Sequence, residues 1–115
     1  MKVIVAGSRT ITEFDHVEKA LKHGIDTITV VVSGGANGVD TMGEHWAWVH
    51  HKKVKRFPAD WKKNGKAAGP IRNRQMADYA DAAIVIWDGK SRGSKNMIET
   101  MKKLGKPVLE KVIDG

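Results

Sequence analysis

Apolar residues fall along the chain in two rhythms. Short, largely β-branched runs at residues 2–6 and 28–32, and the fully apolar AAIVIW at 82–87, have the length and composition of strands buried on both faces of a parallel sheet. Residues 53–57, stopped by Pro58, and residues 107–112 are further strands, the last placed at a sheet edge. Between the runs apolar residues recur at helical spacing: Phe14, Val17 and Leu21, then Val39, Met42, Trp46 and Val49, then Met97, Met101 and Leu104. Thr10 or Thr12 is placed to cap the first helix and Gly24 to stop it. Pro70 fits the first turn of another helix, ending near Tyr79, because its missing N–H has no intrahelical partner there. Residues 59–69 show no apolar period and predict a long functional loop.

This alternation predicts one α/β domain over residues 1–115, a Rossmann-like three-layer sandwich with a mainly parallel sheet of about five strands. In such sheets ligands bind beyond the carboxyl ends of the strands, where the strand order reverses. The glycines of this chain fall at those ends: Gly7 after the first strand, Gly34 and Gly35 after the second, Gly89 and Gly93 after residues 82–87.

Charge narrows the class of partner. Twenty lysines and arginines against 13 acidic residues give a formal charge of +7, which favours an anionic partner. The basic residues form no long run and no aromatic ladder accompanies them, so most are read as a solvated surface, with a nucleic-acid groove as the alternative. The chain has no cysteine, and its five histidines lack a metal-ligand spacing, so no metal site and no cofactor are assigned. The apolar stretch after Lys2 is too short for a signal peptide or a membrane span, and a cytoplasmic protein is expected.

Three segments carry candidate chemistry. Ser33, Gly34, Gly35, Ala36 and Gly38 lie between a strand and a helix, where bare backbone lets N–H groups approach a phosphate; the alternative is a tight turn alone. Neither the dinucleotide fingerprint nor the P-loop spacing is present, and a serine-hydrolase elbow is missing. Asp40 either caps the following helix or accepts from a ligand hydroxyl. Gly7, Ser8 and Arg9 offer an amide, a hydroxyl and a guanidinium suited to phosphate or ribose. Asp88, Gly93 and Ser94 border the last long helix, with Ser94 read as its N-cap or as a ligand donor. Arg72 and Arg74 place positive charge in the first turns of a helix, which calls for an anion or for salt bridges to Asp78 or Asp81. Trp46 and Trp48 are read as packing residues, Trp87 as partly core, and Trp61 as a surface for a base to stack on.

The segments VIVAGSR (3–9), SGGANGVD (33–40), GPIRNR (69–74) and WDGKSRGS (87–94) together resemble the SLOG superfamily over nearly the whole chain. That group unites the DprA/Smf DNA-processing proteins with the LOG cytokinin-activating proteins, and the small stand-alone YspA/YpsA-like members of phages and bacteria look most similar. The resemblance implies a Rossmann-like fold, a bound nucleotide-like small molecule, weak single-stranded DNA binding and a homodimer. Similarity to the LOG branch implies a nucleoside monophosphate phosphoribohydrolase, with Arg72 at the family arginine and Gly93 and Ser94 at the Gly-Thr of P-G-G-x-G-T-x-x-E. Here the sequence departs: the motif's glutamate falls on Met97, which can neither accept a proton nor stabilise developing positive charge. Glu99, two residues on, points about 200° around the helix. No catalytic residue is assigned; the favoured reading is a module that binds, senses or sequesters a nucleotide-derived molecule.

Overall fold

The computed structural model describes residues 1–113. Strands β1 (Lys2–Gly7), β2 (Val30–Ser33), β3 (Lys53–Arg56), β4 (Ala82–Trp87) and β5 (Val108–Val112) form one sheet in the order β3-β2-β1-β4-β5. Every pairing is parallel, with Val3 opposite Val31 on one side and Ala82 on the other. The connecting helices are α1 (Phe14–Leu21), α2 (Val39–Val49), α3 (Trp61–Asn64), α4 (Ala68–Tyr79) and α5 (Arg92–Lys103). The expected α/β, Rossmann-like sandwich is therefore present, with a wholly parallel sheet of five strands.

Strand periodicity divides the core in two. Val3 and Val5 of β1, Val31 of β2 and Ile86 of β4 point to one face and pack with Val17, Leu21, Trp46 and Ala47 of α1 and α2. Ile4, Ala6, Val32 and Val85 point to the other and pack with Met76, Ala77, Met97 and Met101 of α4 and α5. Strands covered on both faces must be apolar at every position, which is why β1 and β4 read as unbroken runs. The edge strands differ: every residue of β3 is exposed, and β5 is exposed except for the partly buried Val108.

Several sequence expectations change. Residues 59–69 are not an irregular loop but contain α3, a 3-10 turn at Gly65–Ala67 and the start of α4. Asp60 caps α3 by accepting from the Lys63 N–H at 3.1 Å. A four-residue helix is too short to display a 3.6-residue period, so the pattern was silent there. Helix α1 has Glu13, not a threonine, at its N-cap, and no side chain caps it. Its α-helical turns end at Leu21, with a 3-10 turn carrying the chain through Gly24. Ile28 precedes β2 rather than belonging to it, because its N–H bonds back to the Gly24 carbonyl at 2.8 Å. Trp48 is 76% exposed and stacks on His45, whereas Trp46 is fully buried, and Val49 also faces outward. The N-cap of α5 is Ser91, whose hydroxyl accepts from the Ser94 N–H; Ser94 is the third helical residue.

Gly7, at the carboxyl end of β1, lies so close to β4 that a Cβ would fall 1.8 Å from the Ile86 carbonyl oxygen. Only glycine lets these two strand ends meet. Among the described residues no helix is long and apolar enough to cross a membrane.

Candidate functional site

Strand order turns between β1 and β4: β2 and β3 lie on one side of β1, while β4 and β5 lie on the other. The chain leaving β1 and the chain leaving β4 diverge to opposite layers, which opens a crevice at their carboxyl ends. A cavity of about 340 Å³ occupies it, and its lining comes from segments distant in sequence. Gly7, Ser8 and Arg9 enter from the end of β1, Ala36 from the glycine loop and Asp40 from the first turn of α2, Arg72 and Asn73 from α4, Asp88 from the β4–α5 connection, and Gly93 and Ser94 from the first turn of α5.

Buried hydrogen bonds hold these segments together. Ser8 is buried and its Oγ accepts from the Asp88 N–H at 3.0 Å, tying the two strand exits directly. Gly38 begins α2 at φ +78, and a Cβ there would lie 2.5 Å from the Ser8 carbonyl, so the glycine loop packs against the β1 exit by main chain alone. Arg72 Nη1 donates to the Gly34 carbonyl at 2.9 Å, while Arg72 Nε donates to Asn73 Oδ1 at 3.1 Å. Asn73 Nδ2 in turn donates to the Gly93 carbonyl at 3.1 Å and Asn96 Oδ1 at 3.0 Å. One arginine and one asparagine thus brace the glycine loop against the first turn of α5.

The charges have opposite fates. Burial pushes the Asp40 carboxyl up to about 6, although the N–H groups of Ala36, Gly7 and Gly34 and the Arg72 charge all favour its ionised form. Burial pulls Arg72 down, partly offset by Asp40 and reinforced by Arg9. Asp88 is held low because its carboxylate accepts from the Lys90 and Ser91 N–H groups. Asp88 is therefore an anionic turn-former at the rim, whereas Asp40 is a buried carboxyl whose pKa burial raises. Met76 and Met97 supply apolar lining.

Other expected residues lie elsewhere. Ser33 is buried behind the loop, donating to Glu44 Oε2 at 2.6 Å and accepting from the Gly35 N–H at 3.0 Å. Against the burial that pushes it up, bonds from Arg56 and Ser33 hold Glu44 below the usual carboxylate range. Gly34 and Gly35 line a neighbouring cavity, and Gly38 supports the fold rather than the wall. Arg74 points away and pairs with Asp78 at 3.1 Å. Asp40 does not cap α2, whose N-cap is Gly38; it is the second helical residue, in the first turn, and lines the cavity. Sequence reasoning overlooked Asn73 and Ser91. The first was hidden between two arginines, and the second had a signal in its spacing of three residues before Ser94.

Met97, the residue at the LOG-type acidic position, is buried and lines the cavity, while Glu99 faces solvent opposite Lys95 at 4.0 Å. The wall there is apolar.

Comparison with known proteins agrees with this architecture. The chain is 32% identical to the Gene 61 protein of Mycobacterium phage D29 over 94% of both sequences. Its fold superimposes on DNA processing protein A (DprA) from Streptococcus pneumoniae with a TM-score of 0.79 and 26% identity, covering 95% of this chain and 49% of that one. The chain thus spans about half the length of DprA. Residues 1–64 match the model of the YspA, cpYpsA-related SLOG family, called YAcAr, and the chain belongs to that family.

Proposed function

We propose that the switch-point cavity binds a nucleotide-derived small molecule and that the protein acts by recognising or sequestering it. The observation that carries this reading is the convergence of Arg9, Arg72, Asp40 and the first turn of α5 on one cavity from four separate segments. A phosphate fits at the first turn of α5, where the Arg92 and Gly93 N–H groups lack intrahelical partners and the helix dipole is positive, the Ser94 N–H being taken by the Ser91 cap. Arg9 completes its charge; among the described residues it forms no ion pair. Asp40 and Asp88 are acceptors for ribose hydroxyls. Met97 leaves the cavity without a carboxylate at the LOG-type position, so recognition without hydrolysis is the reading. A cytoplasmic, dimeric protein completes it.

Gly93 supplies the test, because a Cβ there meets nothing within 4 Å and its φ is not left-handed. Gly93→Val should fold as wild type, by circular dichroism and melting, yet lose nucleoside monophosphate binding in calorimetry by at least about tenfold (~1.4 kcal/mol). The same panel should release little free base. Equal affinity in the variant places the ligand elsewhere, and turnover of about 1 per second or faster makes the protein an enzyme.

The likeness to DNA processing protein A favours a second reading, in which the basic chain holds single-stranded DNA. A groove that neutralises several phosphates loses affinity by orders of magnitude between about 50 and 200 mM salt, whereas a site for one or two phosphates shows a shallow slope. Weak, steeply salt-labile oligonucleotide binding beside salt-tolerant nucleotide binding is expected. Tight, length-dependent DNA binding without nucleotide binding would favour the second reading.

A further inference from the structure

A second cavity, of about 370 Å³, adjoins the first and shares Arg9, Ala36 and Arg72 with it. Its remaining wall is Gly34, Gly35 and Asn37 of the glycine loop, Arg56 at the end of β3, Pro58, Ala59 and Trp61. Three arginines and no carboxylate line it, in contrast to the first cavity, where Asp40 and Asp88 accompany Arg9 and Arg72. Arg56 does not swing freely, since Nε and Nη2 both donate to Glu44, itself held by Ser33. Trp61 is the other fixed feature. The residue is 53% exposed, yet α3 is anchored by Asp60, and Gly69 lies close enough that an added Cβ would sit 3.5 Å from Cη2. A large planar side chain held half in solvent beside arginines has the form of a stacking platform for a flat heterocycle.

We propose that the second cavity is the subsite for the second base of a dinucleotide whose first nucleotide occupies the switch-point cavity. The phosphate linkage crosses the boundary, where Arg9 and Arg72 belong to both walls. This deepens the reading above and rests on it, since the first nucleotide must bind for the second to be placed. It also gives a role to residues 59–69, whose short helix presents Trp61. The shared chemistry is two bases joined through phosphate, and either a pyrophosphate or a 3′,5′-phosphodiester link meets it.

Calorimetry of the full chain with AMP, diadenosine diphosphate, the dinucleotide pApA and a twelve-residue oligoadenylate separates the outcomes. At least one dinucleotide should bind about tenfold or more tightly than AMP, and Trp61→Ala should remove that advantage while leaving AMP affinity unchanged. Which dinucleotide wins identifies the linkage. Equal affinity for AMP and both dinucleotides, or an equal loss for all ligands in Trp61→Ala, overturns the subsite and leaves the mononucleotide site standing. Affinity that keeps rising to the oligomer overturns it in favour of a nucleic-acid groove. Binding of none of the four overturns the nucleotide reading itself.

Discussion

Asp40 is the residue at which fold and site compete. Its carboxyl, ordinarily near 3.8, is pushed up to about 6 by burial. The folded chain therefore holds this proton more tightly than the unfolded chain. The stability contributed by the protonated form is complete below about pH 3.8 and is lost as pH rises through about 6. At pH 8 the ionised carboxylate costs about 2–3 kcal/mol relative to a solvated one. Asp40→Asn keeps an acceptor oxygen for the loop N–H groups and carries no charge. Its stability minus that of wild type, from urea unfolding, should rise by about 2–3 kcal/mol between pH 4 and pH 8. A flat difference would mean that the carboxylate is solvated. Taking differences matters because Glu44, Asp81 and Asp88 are all held low and titrate with the opposite sign. Tolerance of such a cost beside an arginine fits a group kept for a ligand hydroxyl, as functional sites commonly shift their titrating groups.

At the scale of elements, helix α5 decides one of the two alternatives read for Ser94, since the cap is made by another serine. Ser91 caps the helix, while Ser94 is buried at the cavity wall and donates its hydroxyl proton to Ser91 Oγ at 3.1 Å. Ser91→Ala should cost about 1 kcal/mol in urea unfolding. Ser94→Ala should cost less stability and more nucleotide affinity; the reverse order would return Ser94 to the cap. What the sequence made legible follows the same division. Strands β1 and β4 and the residues facing both helical layers were readable because double-sided burial demands unbroken apolar runs. Gly7, Ser8, Arg9, Ala36, Asp40, Arg72, Asp88, Gly93 and Ser94 were all named from the chain and all line the cavity. For Arg74 the salt-bridge alternative is the one seen, because helical positions two apart point about 200° apart and Arg72 and Arg74 cannot share a face. Helix α3, the exposure of Trp48 and the brace made by Asn73 depend on contacts between elements, which no local period encodes.

For the whole molecule, the decisive feature is that β1, the first strand made, lies at the centre of the sheet and takes β4 as a neighbour. The bond from Asp88 N–H to Ser8 Oγ joins residues 80 positions apart. Such closure comes late, because its loop entropy must be met before the contact offers anything in return. Helices and the β1–β2 pair can form from the first half of the chain, but the cavity has no second wall until β4 docks. On the proposed reading, nucleotide binding therefore reports the docking of β4. In stopped-flow refolding, recovery of nucleotide binding should coincide with the slowest phase in which the buried Trp46 and Trp87 acquire native fluorescence. Binding that appears before that phase would mean that β4 docks early. On the proposed reading, a chain still emerging from the ribosome has no complete site until residues past Ser94 are free, so the ligand is expected to engage only after β4 and the start of α5 have docked.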